Sequence, residues 1–189
     1  MRQNNKMKGK ILKIRELGDP IIRKVAKDVS LVQIKSKKFQ KFTKDLIATC
    51  SAKDGVGIAA PQVDDKMWQS KRVFIVWSRP GKRYKKVPEM EPLVIINPKI
   101  ISSSKKILKD WEGCLSIPGI RGLVPRYASV EVEFLDIFGE KVFAKFSGFL
   151  ARIFQHEFDH LNGVVFIDRA DLKNIMTESE FNKKMKIKK

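Results

Sequence analysis

Gln155-His156-Glu157-Phe158-Asp159-His160-Leu161-Asn162-Gly163 holds the only two histidines of the 189-residue chain, set four positions apart. In a helix four residues make about one turn, so both imidazoles project from one face. Glu157 projects near the same edge, within reach of a water on a metal held by the pair. This is the His-Glu-x-x-His arrangement of a metal site that activates water. The competing reading is two unrelated histidines, solvated or in a core, that fell into register. Around the stretch, Gly148 opens the helix, Phe149, Ile153, His156 and His160 form its inward stripe, and Gly163 stands where a C-terminal cap belongs.

A chain of this length forms one domain able to bury a core without disulfides or a structural metal, so a metal here is expected to be catalytic. Lys and Arg number 39 against 21 acidic residues, a formal charge of +18. That excess suits an anionic neighbour such as RNA or a membrane surface, or a lysine-rich proteome, and composition does not separate these. Two distant cysteines lack the spacing of a disulfide framework and fit a reducing compartment. No apolar run approaches a membrane span, and the start lacks a signal-peptide core. The expectation is a soluble intracellular protein, or a mature form without its leader, with neither DNA nor a membrane as partner.

Residues 1–10 are polar and basic and read as flexible. Residues 11–182 read as a single catalytic domain and 183–189 as a basic tail. Phe39, Phe42, Leu46, Ile47 and Cys50 recur at three- and four-residue steps, predicting an amphipathic helix over 35–51 with Cys50 as a buried thiol. The run Asp54-Gly55-Val56-Gly57-Ile58-Ala59-Ala60-Pro61-Gln62 lacks the third glycine and lysine of a phosphate loop; it reads as backbone that approaches something closely, with Gln62 delivering an amide. Strands are predicted over 72–77, 93–97, 100–104 and 105–111, with the charged segment 79–91 an exposed excursion. Val130, Val132 and Phe134 alternate with glutamates and return along 142–146 as a hairpin. Leu172, Ile175 and Met176 predict a second helix.

A catalytic zinc or iron site usually takes three protein ligands and keeps a position open. A metzincin would place a histidine six residues past His160, where Phe166 stands. The third ligand is therefore a carboxylate or a thiolate. Glu178 would serve a gluzincin-like protease. Cys114 is the stronger candidate, because a thiol between Gly113 and Leu115 in a tight apolar strand would be held rigidly as thiolate, although alone it equally suits an ordinary core cysteine.

Three segments together, Gly55-Val56-Gly57-Ile58-Ala59-Ala60-Pro61-Gln62, Glu112-Gly113-Cys114-Leu115-Ser116 and Gln155-His156-Glu157-Phe158-Asp159-His160, resemble the signature motifs of peptide deformylases in order and rough spacing. The resemblance extends to Asn97-Pro98, Pro118, Val124-Pro125-Arg126 and Leu161-Asn162-Gly163. It implies a metal bound by Cys114, His156 and His160, Glu157 as general acid and base, and an oxyanion stabilised by Gln62 and the backbone N–H of Leu115. It also implies an extended peptide adding along backbone at Gly57, Ile58, Gly119 and Arg121. Phe149 and Ile153, with the stem of Arg152 alongside, would receive a methionine side chain.

The fold so implied is α+β, with antiparallel β-sheets packed around a central metal-binding helix and an additional C-terminal helix. The implied reaction is removal of the N-terminal formyl group from nascent polypeptides, releasing formate. A divalent metal lowers the pKa of its water from about 15.7 toward roughly 7, so such chemistry runs at neutral pH. The resemblance favours Fe2+, while two nitrogens and a sulfur also accept Zn2+, Co2+ or Ni2+. The rivals are an endopeptidase with a downstream carboxylate ligand and a basic RNA- or ribosome-binding module. The lysines of 183–189 read as a solvated tail, with ribosome contact as the functional alternative. Lysine richness and the leaderless start point to a plastid or mitochondrial interior, with the bacterial cytoplasm as the alternative.

Overall fold

The structure, a computed structural model, describes residues 9–80 and 87–187. Residues 1–8 of the start expected to be flexible, residues 81–86 of the charged segment and the last two lysines lie outside the described residues. Lys10, placed in the flexible start by sequence, donates its N–H to Asp45 Oδ1 at 2.7 Å, so the chain docks on a helix there.

That helix, α2 (Lys37–Ala52), follows a one-turn α1 (Leu31–Ile34). Ser36 accepts from the Phe39 N–H and sets its start two residues later than the apolar periodicity suggests. Five strands, β1 (Gly57–Ala59), β2 (Val73–Val76), β3 (Leu93–Ser103), β6 (Ser129–Leu135) and β7 (Lys141–Ser147), form one antiparallel sheet in the order β1-β2-β3-β6-β7. β4 (Ile107–Cys114), β5 (Ile117–Tyr127) and β8 (Ile175–Thr177) form a second, in the order β4-β5-β8. The histidine helix α3 (Gly148–Leu161) lies between them, and α4 (Glu178–Ile187) closes the described chain.

β2 shows why this packing works. Val73 and Ile75 enter a cluster with Phe39, Phe42 and Leu46 of α2. Phe74 and Val76 enter another with Ile153 and Phe154 of α3. Alternating side chains thus bury both faces, which requires the unbroken apolar run Val-Phe-Ile-Val. A third cluster, including Ile22, Ile117, Val124 and Phe166, lies under the smaller sheet and contains Cys114. Cys50 is fully buried in the α2 cluster.

Two expectations need correction, and one strand lies where none was expected. The segments predicted as strands at 93–97 and 100–104 are one strand, because Pro98 falls at an irregularity between the Ile96 and Lys99 pairings, where a missing N–H costs no ladder bond. β5, for which the sequence reading proposes no element, carries two prolines and two glycines and is eleven residues long. The helix expected from Leu172 begins only at Glu178; residues 175–177 pair with β5 instead. The helix then includes residues 183–187, which the sequence assigns to a tail. No helix among the described residues is long and apolar enough to cross a membrane.

Candidate active site

α3 presents His156 and His160 from one face, their ring centroids 5.0 Å apart. Cys114, the last residue of β4, enters the hairpin turn to β5, and its Sγ lies 3.2 Å from His160 Nε2. The ligand atoms of Cys114, His156 and His160 all lie within 4.8 Å of one another. Bonds of about 2.0–2.3 Å around a tetrahedral centre place ligand atoms about 3.5 Å apart, so this spacing fits one ion. Glu178 is elsewhere: it pairs with Arg121 and lines a different cavity. The carboxylate-ligand alternative therefore has no geometry to support it.

Of the two histidines, His156 is held from behind, whereas His160 Nδ1 has no hydrogen-bond partner among the described residues. Glu112 Oε2 is 2.9 Å from His156 Nδ1. Burial works against the charge of Glu112, but Arg126 and His156 outweigh it and hold its carboxyl well below the usual carboxylate range. An ionised carboxylate only accepts, so His156 Nδ1 carries a proton; burial disfavours the charge of the ring, but Cys114 and Glu112 outweigh it and hold the imidazole well above its ordinary value, so a metal at Nε2 would displace the second proton. Arg126 grips Glu112 with two hydrogen bonds of 2.9 Å and reaches Asp159 with its third nitrogen, so an Arg on β5 ties the strand to the helix. Burial pushes His160 well below its ordinary value and leaves it neutral, the form a metal requires.

Glu157 is almost fully buried, and its Oε2 has no hydrogen-bond partner among the described residues. Burial pushes its carboxyl up to about 7. A Cβ on Gly57 would collide with this carboxyl, so the close approach read from the glycine run is an approach to Glu157. Gln62 is oriented by its own backbone neighbour: Oε1 accepts from the Ala59 N–H at 2.8 Å, which turns Nε2 toward Cys114 Sγ at 3.3 Å and Ser116 Oγ at 3.2 Å.

These groups surround a cavity of about 400 Å³. Gly57, Gln62, Cys114, Leu115, Phe149, Arg152, Ile153, His156 and Glu157 all line it. His160 is buried beneath it, and Ile58 is fully buried beside Gly57. Gly119 and Arg121 line an adjoining cavity that shares Gly113, Cys114 and Leu115 with the first. Ile120, Arg121 and Gly122 pair with residues 175–177 on one edge of β5, while on the other edge the register with β4 jumps from Glu112–Gly122 to Cys114–Ile117. Arg121 thus has one edge taken by residues 175–177, while Gly119 lies outside both ladders. β1 pairs only with β2 and leaves its outer edge to the cavity.

Arg152 lines the cavity, and its head has a part the sequence reading did not give it. Its guanidinium is buried and bonds Glu112 Oε1 at 2.7 Å and the carbonyls of Val124 and Leu108, so its head supports Glu112. The Glu112–Arg126–Asp159 network and Trp111 are absent from the sequence expectations. A signal existed: acid and arginine placed inside otherwise apolar segments.

Three kinds of comparison converge on this geometry. The family model described as polypeptide deformylase matches residues 11–175. Peptide deformylase 2 of Nostoc sp. is 51% identical over 176 residues, covering 93% of this chain and 95% of that protein. The peptide deformylase of Halothermothrix orenii is 40% identical over 160 residues, covering 85% and 94%. Among solved structures, a Met-Ala-Ser-bound class I type b peptide deformylase from Acinetobacter baumannii superposes with a TM-score of 0.80 at 43% identity, covering 84% of this chain and 98% of that one. The peptide deformylase of Thermotoga maritima gives 0.73 at 37%, covering 85% and 98%. With a family model spanning most of the chain and relatives matched over nearly their whole length, the chain belongs to the peptide deformylase family.

Proposed function

We propose that Cys114, His156 and His160 hold one divalent metal at which the N-terminal formyl group of nascent polypeptides is hydrolysed, with Glu157 moving the proton. The observation that carries the assignment is the meeting of three ligand atoms within 4.8 Å beside a buried carboxyl with an unpartnered oxygen. The family's reaction converts a formylated amine and water to formate and a free amine.

When bound, the metal supplies Lewis acidity that polarises the formyl carbonyl and acidifies water near neutral pH. Glu157 accepts a proton from the water that adds to the formyl carbon and passes it to the leaving nitrogen; its raised pKa suits both transfers. Gln62 Nε2 and the Leu115 N–H donate to the oxygen on which charge develops, a contribution worth about a hundredfold or more in rate for each donor lost. The outer edge of β1 pairs with the peptide, and Phe149 and Ile153 receive the methionine side chain.

The finer assignments follow from the resemblance and are part of the proposal. Fe2+ is the cellular metal, with Zn2+, Co2+ or Ni2+ able to replace it. Residues 11–182 form the catalytic unit. The relatives are bacterial and cyanobacterial, which supports the bacterial cytoplasm over an organelle interior. Exposed Lys183 and Lys186 offer the ribosome a basic face, whose binding would weaken steeply with salt.

The test is anaerobic purification followed, on one sample, by elemental analysis and formate release from a formyl-Met peptide. One metal per chain and formate equal to new amine are expected. Cleavage of internal peptide bonds without formate release, by fully metallated protein, would overturn the reading.

A further inference from the structure

α4 lies against β4 where that strand borders the active-site cavity. The Phe181 ring centroid is 5.4 Å from that of Trp111, with the planes inclined at 58°. The Lys184 ammonium stands 5.2 Å from the same indole centroid. Phe181 also meets the Arg121 guanidinium at 5.5 Å. Arg121 in turn pairs with Glu178 in the first turn of α4 and fills the space left by the missing side chain of Gly113. Trp111 and Gly113 both line the cavity. The helix therefore backs two wall positions that flank Glu112, the residue holding His156.

Trp111 is only half-buried, and across the ladder its partner is Leu123. An indole so placed has one wall of the cavity on one side and needs packing on the other to keep a single rotamer. A tilted aromatic ring and a cation over the face supply that packing, and both come from α4. The same helix that reads in sequence as a charged tail thus reaches the pocket opposite Phe149 and Ile153.

We propose that α4 belongs to the substrate-recognition apparatus: Phe181 and Lys184 hold Trp111 in place, and Trp111 limits the width of the first side chain that the cavity admits. Phe181 and Lys184 are positioning residues that act through Trp111. The inference rests on the reading of this cavity as the pocket for the terminal side chain of a formylated peptide. Without α4 behind it, Trp111 swings outward, and broad side chains gain on the slender methionine.

The experiment compares kcat and KM for formyl-Met-Ala-Ser and formyl-Phe-Ala-Ser on metallated full-length protein. In Phe181→Ala the preference for Met over Phe is expected to narrow about fivefold, mainly through KM, with metal content and kcat on the Met peptide within about twofold. Phe181→Tyr should restore the preference. In a Trp111→Ala background, Phe181→Ala should add nothing further, since the two act on one unit. Lys184→Met alters an exposed end of the helix and should shift the preference in the same direction by a smaller factor, so it decides the matter where Phe181→Ala fails to fold. An unchanged preference in folded, metallated variants, or a Phe181→Ala effect that persists in full without Trp111, overturns the proposal. Wild-type protein that releases no formate from either peptide would instead remove the reading beneath it.

Discussion

Gly57 and Glu157 meet as backbone against carboxyl: the β1 glycine leaves the space that the α3 acid occupies. The acid's position is thus fixed by the absence of a side chain on a strand a hundred residues away in sequence. Gly57→Ala should displace Glu157 while leaving the three candidate ligands alone. The expected loss is about a hundredfold in kcat/KM with metal content near wild type, since misplacing a catalytic group by about 1 Å costs on that order. Steady-state kinetics with elemental analysis checks this, and activity within threefold of wild type would contradict it.

Glu157→Gln removes the proton acceptor while preserving size. Metal should stay bound, and turnover should fall by at least about a hundredfold, the lower end of a general base's contribution. A fully metallated variant with ordinary turnover would remove Glu157 from the mechanism.

Glu112→Gln leaves Arg152 without a charged partner, Arg126 with Asp159 alone, and His156 Nδ1–H without its carboxylate. Metal affinity should weaken about 10- to 100-fold. Stability should fall by about 3–5 kcal/mol, because a buried ion network loses one member. Competition with a chelator reads the first effect and urea unfolding the second.

Burial pushes the Cys50 thiol up to about 12 from its ordinary value of 9.0. A folded-state pKa raised above the unfolded value leaves stability intact below pH 9 and erodes it as pH climbs from 9 toward 12, because only the unfolded chain then releases the proton. Wild type should therefore lose about 1.4 kcal/mol per pH unit more than Cys50→Ala once pH passes about 9. Urea midpoints at pH 8, 9.5 and 10.5 test this, and parallel pH profiles for the two proteins would contradict it.

What was legible in the sequence followed local patterns. The helix with His156 and His160 carried its own period, the β6–β7 hairpin its alternation, and α2 its three- and four-residue steps. β5 was hidden because Pro118, Pro125, Gly119 and Gly122 weaken its strand signature, and its strand character comes from neighbours on both edges. The buried network was hidden for another reason. Glu112 stands 14 residues from Arg126 and 44 from His156, so only the fold makes them partners. Arg152 shows the same limit: its helical position next to Ile153 is readable, but the direction of its guanidinium depends on where β4 passes. The start of α4 was misplaced because Leu172, Ile175 and Met176 mimic a helical step while 175–177 meet an open strand edge.

The closing of β5 by β8 has a consequence for how the molecule is made. β4 and β5 form a hairpin from neighbouring sequence, but the other edge of β5 waits for residues 175–177, which are made after α3. At the far end of α3, the C-cap region meets the other extreme of the sequence: Val25 bridges Asn162, and the Arg23 backbone packs against Gly163. Synthesis from N to C terminus therefore delivers the clasp for α3 first and the edge strand for the cysteine-bearing sheet last. A copy still being translated has its histidines and its Cys114 before it has the strand that completes the sheet. The sheet around Cys114 reaches its final form only after residues 175–177 have left the ribosome.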